Sequence, residues 1–191
     1  MSADFRSLPA DLPVPDDDGA ADHLPGLALP DVPLPATTGG TISLAELTRG
    51  LLVTYVYPRT GRPGVPLIEG WNEIPGARGC TPQSCAYRDS LAEFEELDAA
   101  VVGLSAQSAT EQVEFAEREQ IPFPLLSDPG LVLAERLGLP TFEAGGLKLY
   151  RRLTLVATAG TIDRAFYPVF PPDRDASEVL AWLAARDQRP G

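Results

Sequence analysis

Lysine and histidine are nearly missing from this 191-residue chain: Lys148 and His23 stand alone, and cysteine occurs only twice. A single histidine, placed in a Pro- and Asp-rich N-terminal stretch, cannot supply the base that a cysteine-protease type of nucleophile needs. Together with two cysteines it also falls short of the about four ligands of a zinc site. Positive charge is scarce: 15 Lys and Arg stand against 27 Asp and Glu, a formal net charge of −12. That balance argues against nucleic acid and anionic membrane surfaces, which need clustered basic side chains. No apolar run approaches the roughly 20 residues required to span a bilayer. The N-terminus, MSADFRSLPADLPVPDDDGAADH, has neither the basic start nor the apolar centre of a secretory signal. The expectation is a cytoplasmic protein, monomer or homodimer, with no cofactor and no metal, and with neither nucleic acid nor membrane as a partner.

What is present is a globular composition, 44% hydrophobic and 22% charged, enough for one buried core. Residues 1–25 read as a flexible acidic N-terminal arm, with Asp16, Asp17 and Asp18 in a row, and 26–191 as the folded domain. Ser43 and Glu46 mark a short capped helix. LLVTYVYP, Leu51 to Pro58, is a strand buried on both faces and ended by proline. A long Gly/Pro-rich segment to residue 79 has no periodicity, and connections of that length in a compact domain are usually functional. Thr81-Pro82 opens a helix to about Leu97. AAVVGLSA is a second buried strand, Ser108 and Glu111 cap a helix to about Gln120, and a short strand follows near Phe123 to Leu126. GLVLAERLGL is a helix. LKLYRRLTLVAT and GTIDRAFYPV are strands meeting at Ala159-Gly160, and Asp175 and Glu178 begin a final helix. The alternation predicts an α/β fold: a central mixed β-sheet flanked by helices on both faces.

Both cysteines lie in GARGCTPQSCAYRD, at Cys80 and Cys85. In a reducing compartment such a pair is more often catalytic, redox-active or metal-binding than a permanent staple. Cys80 falls at a helix start, where free N–H groups and the positive end of the helix dipole stabilise a thiolate. A separation of five on one helix places the Cα atoms on the order of 8–9 Å apart, beyond the roughly 7 Å limit for a disulfide. Bonding the two requires the first turn to unwind, which suits a redox cycle better than a fixed cross-link. The spacing is not the C-x-x-C of a thioredoxin-type site. A phosphatase loop would want Arg six residues after the nucleophile, where Ala86 and Leu91 stand. Spacing alone leaves open the plainer reading of two small hydrophobes packed at a helix entry.

GCTPQSCAYRD resembles the active-site segment of peroxiredoxins of the bacterioferritin-comigratory (Q-type) subfamily, where G-C-T-x-x-x-C-x-[FLY]-R-D is usual. The resemblance continues in order through TGGTISLAEL, the strand ending YP, VVGLSAQSATEQVEFAEREQIPFPLLSD and YRRLTLVATAGTI, covering roughly Leu27 to Val169. It implies a thioredoxin-like fold and reduction of hydrogen peroxide or organic hydroperoxides. By resemblance Cys80 is the peroxidatic cysteine, oxidised to a sulfenic acid. Cys85 is the resolving cysteine, forming an intramolecular disulfide that thioredoxin or a similar dithiol protein reduces. Arg152 in RRLTL matches the arginine of the family's R-x-[ST]-F strand, with Arg151 on the opposite face.

One departure matters. The family reads P-x-x-x-T-x-x-C, but counting back from Cys80 gives Ala77 and Glu73. Pro58, in the YP that ends the strand, matches the family's proline if an insertion follows it. Thr60 then takes the threonine's role, with Thr81 or backbone N–H groups as substitutes. Trp71, Ile74 and Leu67 of the inserted loop suit a lid, a dimer contact or, most simply, packing. The alternative function on the same fold is a redox sensor, using the Cys80–Cys85 pair as a switch with little peroxide turnover.

Overall fold

The computed structural model describes residues 5–47 and 50–187. The strands are β1 (Leu34–Pro35), β2 (Thr41–Ile42), β3 (Leu51–Val56), β4 (Ala99–Ser105), β5 (Leu125–Ser127), β6 (Thr141–Ala144), β7 (Leu147–Tyr150), β8 (Leu153–Thr158) and β9 (Thr161–Phe166). The α-helices are α1 (Leu44–Leu47), α2 (Cys80–Asp89), α3 (Leu91–Glu96), α4 (Ala109–Glu119), α5 (Val132–Leu137) and α6 (Asp175–Asp187). Five strands form the central sheet in the order β5-β4-β3-β8-β9. β3 runs parallel to β4 and antiparallel to β8, so the sheet is mixed. No helix among the described residues is long and apolar enough to cross a membrane.

The period of two along β3 divides the interior. Leu52 and Val56 join one core with α1 and α5, whereas Val53, Tyr55 and Tyr57 join the other with α2, α3, α4 and α6. Helices thus cover both faces, as the sequence alternation implies. On the second face Tyr55 stacks on Tyr87 of α2 with ring centroids 4.4 Å apart, and Tyr87 stacks on Phe94 at 5.5 Å. Such pairs add about 0.5–1.5 kcal/mol each beyond simple burial, and they fix α2 over the middle of the sheet. The Ser108 and Glu111 capping box that starts α4 is formed in full.

Three expectations differ from the structure. The helix expected from Thr81 to Leu97 begins one residue earlier and is broken at Ser90, whose φ of −100° and ψ of 8° leave the helical region. The break lets α3 turn so that Phe94 reaches the aromatic stack. LKLYRRLTLVAT is not one strand: β7 pairs with β6 in a separate hairpin, and Arg151-Arg152 form the corner before β8. The hairpin turns on Gly145 and Gly146, at φ 55° and 74°, a backbone that non-glycine residues rarely adopt.

The third concerns residues 1–25, expected as a flexible acidic arm. From Phe5 onward the stretch lies along the domain; its first four residues fall outside those described. Ala21 and Leu24 are buried in the first core. Asp18 accepts a hydrogen bond from the Tyr167 hydroxyl at 2.9 Å. The chain then runs beside the free edge of β9, where Gly26 N–H donates to the Ile162 carbonyl at 2.7 Å and Leu29 N–H to that of Gly160 at 2.8 Å. Sparse apolar residues suffice here because they fall where the sheet edge and the core offer partners.

The long segment between β3 and α2 has a small core of its own. Trp71 and Ala77 are buried against Ala144 and Leu149 of the β6–β7 hairpin, with Leu67, Ile68 and Ile74 around them. Packing, the simplest of the three expected roles, is therefore one that Trp71 serves.

Candidate active site

Cys80 opens α2, and Gly79 before it has φ 101°, in the left-handed region. A Cβ there would also lie 2.4 Å from Pro172 Cγ, so glycine is required at this turn. Cys80 as a whole is 3% exposed. It donates toward the Ala77 carbonyl at 3.6 Å, and Arg152 Nη2 donates to its sulfur at 3.2 Å. The structure thus brings Cys80 and Arg152 together across 72 residues of sequence.

Arg152 reaches the sulfur because it continues the alternation of β8. Thr154 and Arg152 share the face turned to α2, while Arg151 turns outward to Asp18 at 3.8 Å and is 42% exposed. The buried guanidinium also donates to the carbonyls of Gly76, Ala77 and Arg78 at 3.2, 3.2 and 3.1 Å, and to Gln83 Oε1. It therefore shapes the turn that carries Cys80 as well as touching the sulfur. Five N–H groups in a planar fork make this possible; a lysine has no such geometry.

A second layer, missed in the sequence, holds this arginine. Gln83 Nε2 donates to Asp175 Oδ2 at 2.7 Å, and the Thr154 and Tyr87 hydroxyls donate to the same oxygen at 2.7 and 2.9 Å. Asp175, expected only as a helix start, is a buried carboxylate that ties α2, β8 and α6 together. Burial pushes its carboxyl above the usual carboxylate range, and the bonds from Gln83, Thr154 and Tyr87 and the charge of Arg152 pull part of the way back. No signal in the sequence singled out this layer, because Gln83 is only one of three buried polar residues at the start of α2, with Thr81 and Ser84.

Pro58 and Thr60 bond to residues other than Cys80 and Arg152. The Pro58 carbonyl accepts from the Ser105 hydroxyl at 3.1 Å. Thr60 is buried, and both its N–H and its hydroxyl donate to Gln107 Oε1, at 2.8 and 2.9 Å. It lines a cavity of about 410 Å³ with Leu67, Ile68 and Trp71. The narrow cleft at Cys80 is lined instead by Thr81, Arg78 and Arg59, and by Phe5 from the N-terminal stretch. Ala77, three residues before Cys80, offers only its carbonyl.

Residues 24–183 match the model of the Redoxin family. The chain belongs to the redoxin family. Within it, this is a peroxiredoxin of the Q type. It is 30% identical over 158 residues to "Peroxiredoxin Q, chloroplastic" of Populus jackii, covering 83% of this chain and 67% of the relative. The same name in Sedum lineare goes with 30% identity and 76% of the relative covered. Among solved structures, the peroxidoxin BcpB of Mycobacterium tuberculosis superposes with a TM-score of 0.69 at 30% identity, over 87% of this chain and 99% of that one. The peroxiredoxin thus spans about two thirds of the poplar relative's length and nearly all of the mycobacterial structure. The thioredoxin-like fold expected from the resemblance is the fold observed.

The peroxiredoxin's second cysteine has a different setting. Cys85 is half-buried on the intact α2, a free thiol like Cys80. Its sulfur faces Glu119 Oε2 at 3.9 Å. Burial raises its pKa above the ordinary 9.0, Arg88 opposes the rise, and the negative charge of Glu119 adds to it. Alkylation of Cys85, followed by peptide mass analysis across a pH series, is expected to show a midpoint above that of an open cysteine. Glu119→Gln will lower that midpoint only in part, because burial is the larger cause. The folded thiol keeps its proton longer than the unfolded one, so this group's contribution to stability is lost as pH rises through the folded value.

Proposed function

We propose that this peroxiredoxin is a thiol-dependent peroxidase in which Cys80 attacks the peroxide and Cys85 resolves the product. The observation that carries the reading is the Arg152 guanidinium 3.2 Å from a Cys80 sulfur at the first position of a helix. The Cys80 thiolate attacks one peroxide oxygen and the O–O bond breaks. The sulfur becomes a sulfenic acid, and the departing oxygen leaves as alkoxide or hydroxide and takes a proton from water. Arg152, with N–H groups beside the sulfur, is in reach of the charge that grows on that oxygen. Free N–H groups of the α2 start can bind the same oxygens, and Thr81 lines the cleft where they arrive. Thr60, bonded to Gln107, is less suited to that role.

Resolution follows by attack of the Cys85 sulfur on the Cys80 sulfenic acid, forming the disulfide and releasing water. With both residues on an intact helix the Cα atoms are on the order of 8–9 Å apart, so the first turn of α2 opens before the sulfurs meet. The Gln83 N–H to Gly79 carbonyl bond at 3.1 Å is among those that break. A thioredoxin-like dithiol protein then returns both thiols by exchange. Reduced protein given one equivalent of hydrogen peroxide is expected to lose both thiols and gain no oxygen, as read by intact mass. With thioredoxin, its reductase and NADPH the cycle will turn over continuously. A disulfide that forms slowly and supports no turnover would instead favour the redox switch.

A further inference from the structure

We infer that Phe5 sets the substrate range of Cys80, closing its cleft to a space that admits hydrogen peroxide and excludes bulkier hydroperoxides. The inference rests on the peroxidase reading above and concerns a residue outside the family match, which begins at residue 24.

Phe5 is 8% exposed although it lies near the N-terminus in a stretch without helix or strand. Its ring occupies the room that a side chain at residue 61 would fill: a Cβ on Gly61 would stand 2.0 Å from Phe5 Cε1 and 2.4 Å from Cδ1. The Arg78 guanidinium carbon lies 5.2 Å from the centre of the same ring. Neighbouring residues hold the stretch in place. Arg6 Nε pairs with Glu119 Oε2 at 3.1 Å, and Leu8 Cδ2 would lie 2.8 Å from a Cβ on Gly79. Phe5 is therefore wedged between the loop after β3 and the turn before Cys80.

The consequence is a matter of volume. The cleft that Phe5 lines with Cys80 keeps only about 10 Å³ of free space, and a site needs about 10–15 Å³ to hold one water molecule. Hydrogen peroxide, with two oxygens, enters with a small widening of such a space; a hydroperoxide with a branched or aromatic group needs far more room than side-chain adjustment supplies. Immediately beyond lies the cavity of about 410 Å³, which shares Arg59, Gly61, Leu67 and Trp71 with the cleft. That volume falls within the roughly 300–1,000 Å³ of ordinary ligand sites. Phe5 rests on Gly61 where the two spaces meet. Removing the ring joins the thiol to a room large enough for an apolar group.

The test compares hydrogen peroxide with cumene hydroperoxide for the wild type, Phe5→Ala, Phe5→Trp and Gly61→Ala. Phe5→Ala is expected to raise the ratio of kcat/KM, cumene hydroperoxide over hydrogen peroxide, by about tenfold, the scale of hydrophobic-pocket discrimination. Gly61→Ala, which expels the ring from the other side, will move the ratio the same way, and Phe5→Trp will keep it low. An unchanged ratio in Phe5→Ala, or an equal fall with both peroxides, overturns the inference. A second measurement needs no peroxidase activity: the rates at which iodoacetamide and the bulkier N-phenylmaleimide modify Cys80, located by peptide mass. Phe5→Ala must raise the maleimide rate relative to the smaller reagent. If the wild type reduces no peroxide, the proposed function fails while this comparison still judges the gate.

Discussion

Cys80→Ser is expected to reduce peroxide consumption to the background rate, a loss of more than about 10⁴-fold, the scale of removing a catalytic nucleophile. The fold should survive, since a serine oxygen can accept the same Arg152 N–H that the sulfur accepts at 3.2 Å. Circular dichroism and an unchanged Tm within about 2 °C will establish that, a shift corresponding to roughly 1 kcal/mol or less at this size. Cys85→Ser separates the two halves of the cycle. It keeps the attack, consumes one equivalent of peroxide and stops with a sulfenic acid at Cys80 that dimedone captures. Sustained turnover with thioredoxin is then lost. Full activity in Cys80→Ser would remove the assignment altogether, and undiminished turnover in Cys85→Ser would remove the resolving role.

Arg152→Met carries the second-largest expected effect. Loss of one preorganised donor at a developing oxyanion typically costs about 10²–10³ in rate, and kcat/KM for peroxide should fall by that amount. The same change leaves the carbonyls of Gly76, Ala77 and Arg78, and Gln83 Oε1, without the donors they now share. Buried acceptors left unpaired cost about 1–3 kcal/mol each. Allowing for relaxation, a loss on the order of 3 kcal/mol, or roughly 10 °C in Tm, is expected. Arg152→Lys keeps the charge, but its three N–H donors radiate from one nitrogen and cannot span the acceptors that the planar fork spans, so it will recover only a small part of the rate. Assays well below the variants' Tm separate the two effects. A Met variant as active as wild type would show that the guanidinium only shapes the turn.

The strength of Arg152's placement depends on Asp175. Its Oδ2 gathers bonds from Gln83, Tyr87 and Thr154, and Gln83 in turn bonds the guanidinium. No local pattern announces this. Asp175 lies 92 positions from Gln83, and as the first residue of a helix it has an ordinary reason to be acidic. Thr60 shows a different limit of the sequence. Its residue type suits a hydroxyl donor at the thiol, although it stands two residues past Pro58 and not four, and its hydroxyl is bonded to Gln107 at 2.9 Å. Across a segment as long as the one between β3 and α2, position along the chain is a poor guide to position in space, because the segment's own packing sets the path.

Local chemistry was readable from the chain itself. The cysteine pair at a helix start, its spacing, the apolar strand Leu51–Val56 and the turn at Ala159-Gly160 depend on near neighbours, periodicity and glycine geometry. The alternation that sends Arg151 and Arg152 to opposite faces belongs to the same class. The tertiary structure alone decided what surrounds the thiol: Arg152 on its sulfur, Asp175 behind that arginine through Gln83, and Phe5 in the lining of the cleft. Those contacts join residues far apart in sequence, and their energies depend on burial, which no single segment possesses before the sheet, helices and N-terminal stretch close around it.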